Sequence, residues 1–274
     1  MNHPAVRFLA CCLGLGATLL PALSFAQQRP APRTARSDTR RVNPLARHLQ
    51  IARDVQATVG QIGDYTFTFT KRERIDGTLT EADSLAVKVR HEPFSVYVRC
   101  LGPVKPAGQE VIYIDGANDG QAWAHTTGIT GKLVGTLSLD PAGSMMMDGN
   151  RHPVTNIGMK NLIRNVIEDF EEYASVSDQL DAKVFLKAKL ADGRPVICLE
   201  VTALEPLPNN NPRQRTRLFI DRELNLPVRL EAYEWPRRAG EEPLLVEEYE
   251  YSDLVLSPGL TDRDFDIDNP DYGF

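Results

Sequence analysis

The chain predicts an α+β fold that is mainly β: one large antiparallel sheet of about eleven strands, with one helix before it and a helical insertion in its middle. Two observations carry this. Hydrophobicity alternates with a period of two over three successive runs. Tyr65, Phe67 and Phe69 alternate with Thr66, Thr68 and Thr70; Leu85, Val87 and Val89 with Ala86, Lys88 and Arg90; Phe94, Val96, Val98 and Cys100 with Ser95, Tyr97 and Arg99. Two other stretches place apolar residues every three or four positions, the spacing of a helix with one buried side. Such a sheet has one apolar face, which another sheet, helices or a bound apolar ligand must cover.

The first helix starts at Asn43-Pro44, a capping side chain followed by a proline in the first turn. Leu45, Leu49, Ala52, Val55, Val59 and Ile62 form its stripe, and Gly60 and Gly63 end it. After the three opening strands, 110–115 and 121–126 flank Gly116-Ala117-Asn118-Asp119-Gly120, which has the residues of a hairpin turn. Lys132 to Leu139 reads as a sixth strand. The alternation then stops through 141–153, a stretch that contains Met145-Met146-Met147. A second helix follows from Met159 to about Ala174, with Met159, Leu162, Ile163, Val166, Ile167, Phe170 and Tyr173 on one face. Its other face carries Glu168, Asp169, Glu171 and Glu172, acids that oppose the helix dipole unless bases or a partner lie opposite. Five more strands, at 183–190, 195–202, 215–221, 228–234 and 244–251, complete the sheet. No repeat and no linker interrupts 44–274, so one domain is expected there.

Ahead of that domain, residues 1–26 read as an export signal removed after Ala26: Arg7, an apolar run from Phe8 to Leu20, and the small-x-small site Ser24-Phe25-Ala26. The run is too short to span a bilayer, so the protein is expected outside the cytoplasm, periplasmic or otherwise exported, and not transmembrane. Phe8-Leu9-Ala10-Cys11 has the outline of a lipoprotein box, but the apolar run follows the cysteine instead of preceding it, which argues against acylation. Residues 27–43 form a basic tail with five arginines and one acid, expected to be disordered. From Val42 onward 25 basic residues face 36 acidic ones, a net charge of −11 that argues against nucleic acid as partner.

Catalytic and metal signatures are missing from the sequence. His48, His91, His125 and His152 lack metal-ligand spacing, and the chain has no nucleophile elbow, phosphate loop or Cys-x-x-Cys. No metal, no cofactor and no enzymatic activity is therefore expected. Cys100 and Cys198 fall on strands that a meander does not bring together, so they read as two buried thiols. Arg72, Arg74, Lys88, Arg90 and Arg99 form a basic stripe, read either as a solvated outer face or as a contact for phosphate head groups or an acidic partner.

Seven segments carry a resemblance. Leu218-Phe219-Ile220-Asp221-Arg222-Glu223-Leu224-Asn225-Leu226-Pro227-Val228-Arg229-Leu230, then Tyr249-Glu250-Tyr251-Ser252-Asp253-Leu254, then Leu260-Thr261-Asp262-Arg263-Asp264-Phe265 resemble the C-terminal half of the LolA, LolB and RseB superfamily. Asp64-Tyr65-Thr66, Lys71-Arg72-Glu73-Arg74, Pro93-Phe94-Ser95-Val96-Tyr97 and Gly149-Asn150-Arg151 look like an uncharacterised family of exported bacterial proteins within that group. The resemblance implies a strongly curved, incompletely closed barrel with helices as a lid over an apolar cavity. On that reading the protein binds lipid or lipoprotein acyl chains. The expected lining is Phe67, Phe69, Val87, Val89, Val96, Val98 and Trp123 from the strands, with Met145, Met147, Met159, Leu162, Val166 and Phe170 as lid. The alternatives are an RseB-like sensor or assembly factor that binds another envelope protein and, third, a hydrolase.

Overall fold

A computed structural model describes residues 43–274 other than 177, 208–210 and 239; the expected signal, the Cys11 reading and the basic tail up to Val42 lie outside them. Helix α1 spans Ala46–Val59 and starts later than expected: Leu45 is the N-cap and carries no side-chain cap, while Asn43 Oδ1 accepts the Leu45 N–H at 2.8 Å in a turn just ahead of the helix. The strands are β1 (Asp64–Ile75), β2 (Thr78–Leu79), β3 (Asp83–His91), β4 (Phe94–Gly102), β5 (Glu110–Ile114), β6 (Ala122–His125), β7 (Leu137–Leu139), β8 (Leu180–Lys189), β9 (Pro195–Ala203), β10 (Arg213–Asp221), β11 (Pro227–Glu234) and β12 (Leu244–Leu256). Between β6 and β8 lie the short helices α2 (Gly128–Val134) and α3 (Ser144–Met147) and the long α4 (Met159–Val176).

All the strands form one open antiparallel sheet in the order β7-β6-β5-β4-β3-β1-β12-β11-β10-β9-β8, with β2 paired to the far end of β1. The chain thus builds two meanders, β3 to β7 and β8 to β12, and joins them at the centre through the β1–β12 ladder. This mainly β, unclosed sheet with covering helices fits a LolA-like fold. Among the described residues the strand count is twelve against about eleven expected, because β2 is too short to give an alternation. Lys132–Leu139 departs from its reading: only Leu137–Leu139 is strand, and Gly128–Val134 is helical.

One phrase of the resemblance has a clear local cause. After β10, Asp221 Oδ1 accepts the N–H groups of Glu223 and Leu224 at 2.8 and 2.9 Å, and Asn225 takes a left-handed φ of +53°. The Asn225 side chain then donates to Thr58 Oγ1 at 2.7 Å, fastening this turn to the last turn of α1.

The two faces of the sheet are covered differently. On the inner face Phe67, Val87, Val89, Val96, Leu218, Tyr251 and their neighbours pack against the stripes of α1 and α4 in one continuous core. On the outer face Tyr97, Ile112 and Trp123 pack against Phe265, Leu260 and Tyr272 of the C-terminal segment. That segment also meets the basic stripe: Lys88 pairs with Asp264 at 2.7 Å and Arg90 with Asp262 at 2.6 Å, while Arg72 pairs with Glu248 at 3.2 Å. Arg74 donates to the carbonyls of Leu245 and Gly77, and Arg99 stays exposed. Most of the stripe is therefore engaged within the chain. The acids of α4 likewise find bases, Glu171 with Arg53 of α1 and Asp169 with Arg213 of β10, both at 2.6 Å. Cys100 and Cys198 are free and buried, on strands six positions apart in the sheet.

Candidate ligand cavity

Register places one row of small and branched side chains across the inner face: Val87 opposite Val98, Val98 opposite Val111, Val111 opposite Ala124, and Ala124 opposite Leu137. Near β3 this row is buried by packing. From Val98 outward it borders a cavity of about 680 Å³, within the usual range for small-molecule sites. The segment from Val134 to Asp169 crosses over that half of the sheet, and Met145, Met146, Val154, Ile157, Leu162 and Val166 form the facing wall. Phe69, Leu85, Leu139, Tyr249 and Tyr251 complete the apolar surface. Helix α4 is held in place by an unusual start. Gly158, at φ +107°, lets the Met159 N–H donate to the Tyr65 hydroxyl at 2.8 Å, and a Cβ on Gly158 would lie 2.7 Å from that oxygen.

Part of the wall is charged. Glu247 accepts from Arg151 Nε at 3.0 Å and Arg213 Nη2 at 3.3 Å, with His152 Nε2 also at 3.3 Å. Glu73 accepts from Lys71 Nζ at 2.8 Å, the Tyr249 hydroxyl at 2.6 Å and the Arg151 backbone N–H at 3.4 Å. Arg213 also reaches Asp169 of α4, so one guanidinium ties helix to sheet. Burial alone would push the Glu247 carboxyl up, but the His152 hydrogen bond and the nearby Arg213 and Arg151 outweigh it and hold the group down at about 2. Asp169 moves the other way, because desolvation exceeds the attraction of Arg213. Burial also pushes the Tyr249 hydroxyl far up, so it remains a donor.

This cluster joins two short motifs that are 75 residues apart in the chain, Lys71-Arg72-Glu73-Arg74 and Gly149-Asn150-Arg151. Over residues 62–274 the chain matches the family described as Protein of unknown function (DUF1571). The chain belongs to that family. The DUF1571 match takes in the whole sheet and every cavity residue, and it begins after α1. No curated protein matches the chain. Among solved structures it is similar to MucB, at 16% identity and a TM-score of 0.45, over 81% of this chain and 63% of that one. It is also similar to the Mycobacterium tuberculosis lipoprotein LppX, at 11% identity and a TM-score of 0.43, over 78% and 95% of the two chains. A LolA superfamily protein from Nitrosomonas europaea aligns at 13% identity and a TM-score of 0.32, over 78% and 97%.

Of the side chains expected to line a cavity in this DUF1571 member, Phe69, Val98, Met145, Leu162 and Val166 border it. Phe67, Val87, Val89, Val96, Met159 and Phe170 lie in the packed core beside it. Met147 is partly buried, next to the lining Met146. Trp123 belongs to the outer-face cluster, because it pairs with Ile112 while Ala124 takes the inward position. The charged residues of the wall carried no periodic pattern of their own. The one available cue was that Lys71 and Glu73 continue β1 on the parity of the inward-facing Phe67 and Phe69, which puts charge where apolar residues are expected.

Proposed function

We propose that this DUF1571 protein is exported and acts without catalysis, binding a lipid or lipoprotein acyl chain in the cavity between the sheet and the 134–169 segment. The observation that carries the reading is a 680 Å³ space walled mainly by apolar side chains, in a region where the rest of the inner face is filled. Each methylene buried there gains about 0.8 kcal/mol over water, as it does in a membrane, so transfer between the two is nearly balanced. The acids and histidine at the wall argue for binding over hydrolysis. Glu247 is held ionised far below neutral pH with its oxygens occupied, which does not suit a general acid or base, and burial pushes the Cys100 thiol up to about 11, away from the reactive thiolate.

A second reading, a factor that binds another envelope protein, draws on the edge strand β8, where Phe185 and Leu186 are exposed beside Phe219 and Cys198. Native mass spectrometry and lipid extraction of the protein purified from its own envelope separate the two. Recovered acyl lipid at one equivalent supports the carrier reading, and a stoichiometric protein without lipid replaces it with the second.

A further inference from the structure

Two ammonium groups meet at one three-residue turn on the cavity wall. Lys105 Nζ donates to the Asp148 carbonyl at 2.9 Å, and Lys71 Nζ donates to Asn150 Oδ1 at 2.6 Å; Gly149, at φ +65°, stands between and packs near the Lys105 stem. Both lysines line the cavity. Their electrostatic situations differ. Lys71 is balanced by Glu73 at 2.8 Å. Lys105 has no carboxylate within ion-pairing distance among the described residues, and the Asp148 carbonyl is its one acceptor. Two carboxylates lie near Lys105 without pairing to it, that of Asp148 itself and that of Asp83, and Asp83 is already engaged with the backbone N–H groups of Val104 and Lys105. Burial, reinforced by the neighbouring charge of Lys71, lowers the Lys105 pKa, so the fold holds this cation at a cost. An ammonium with two free N–H donors, partly desolvated and facing an apolar chamber, is a half-built anion site.

We infer that the cavity selects amphiphiles with an anionic head, a carboxylate or a phosphate monoester, seated on Lys105 next to Lys71 and the Asp148-Gly149-Asn150 turn, with the alkyl chain running along Val98, Val111 and Leu137. This rests on the acyl-binding reading and adds the headgroup to it. The site holds one anion of modest size: Lys105 supplies a charge with no ion pair among the described residues, while Lys71 and Arg213 on the adjoining wall are already balanced by Glu73 and Glu247. A zwitterionic or cationic head gains nothing there.

Isothermal titration of the lipid-free purified protein with four probes of equal chain length tests this: a fatty acid, a monoalkyl phosphate, a fatty alcohol and an alkyltrimethylammonium. The expected result is that at least one anionic probe binds about tenfold tighter than the alcohol, and the ammonium probe more weakly than either. Which anion leads distinguishes a carboxylate from a phosphate source. In Lys105→Gln, and separately in Lys105→Met, the preference for the anionic probes over the alcohol disappears, the alcohol still binds, and the thermal midpoint does not fall. Equal binding of acid and alcohol, or a preference that survives both substitutions, overturns the headgroup assignment and leaves the acyl reading standing. Failure of all four probes overturns both.

Discussion

Glu73 and Glu247 stand directly opposite each other across the β1–β12 ladder, both almost fully buried at 3% and 2% exposure. Two carboxylates facing one another at a sheet position are destabilising on their own. Here each is claimed by different donors, Lys71 and Tyr249 for Glu73, Arg151, Arg213 and His152 for Glu247. The pair lies where the two meanders join, so the cluster fastens the 149–152 turn and α4 to the centre of the sheet.

Removing one base from this cluster leaves buried negative charge uncompensated. Arg213→Met is expected to lower unfolding free energy by about 3 kcal/mol, the lower end for a broken buried pair because the guanidinium keeps some exposure. Urea denaturation measures it as a lower midpoint with unchanged slope. Glu247→Gln in the same background should restore part of the loss. Additive effects of the two substitutions would rule out the coupling.

The same carboxylate sets an acid dependence. Glu247 is depressed from its ordinary 4.5 to about 2, so its contribution of about 3 kcal/mol is present above pH 4.5 and is lost as pH falls through 2. Asp169 has the opposite sign: its raised pKa makes ionisation unfavourable in the folded state, and acidification relieves it. Stability of the parent protein should therefore fall below pH 4.5, and Glu247→Gln should flatten that fall. An unchanged profile in the variant would show that other carboxylates govern it.

The start of α4 depends on a glycine. Gly158→Ala forces a Cβ to within 2.7 Å of the Tyr65 oxygen at a φ of +107°, and is expected to cost about 2–3 kcal/mol. Tyr65→Phe keeps the packing and removes only the acceptor for the Met159 N–H, for about 1 kcal/mol. Thermal or chemical unfolding ranks the two, and a Tyr65→Phe loss as large as that of Gly158→Ala would refute the steric account.

The elements legible in the sequence were those that repeat. The alternation of 65–70, 85–90 and 94–100 and the stripes of α1 and α4 each gave the right element, since burial of one face imposes the period. What escaped was set by register between distant segments. Trp123 looked like an inner-face aromatic, but a four-residue strand with alanine on both sides of it leaves the parity open, and the outward side is apolar only because Phe265 and Tyr272 return to cover it. The charged wall was hidden for a related reason: Glu73 and Glu247 acquire meaning only once β1 and β12 pair across most of the chain's length. The end of helix α2, residues 132–134, falls inside the strand expected at Lys132–Leu139 because that stretch alternates weakly and the glycines at 128, 131 and 135 give no helical stripe.

Cavity and core can be separated on one row of the inner face. Ala124 borders the open space, so Ala124→Phe should fill part of it, leaving the unfolding midpoint within about 1 kcal/mol of the parent while weakening acyl-chain binding about tenfold or more. Phe67 is stacked on Tyr251 with ring centroids 4.8 Å apart and faces no space, so Phe67→Ala should cost about 3–5 kcal/mol of stability. Lipid retained by Phe67→Ala under folding conditions and lost by Ala124→Phe places the ligand beneath the 134–169 segment. The reverse pattern moves it to the region now filled by side chains, and would mean that α1 and α4 part from the sheet to admit it.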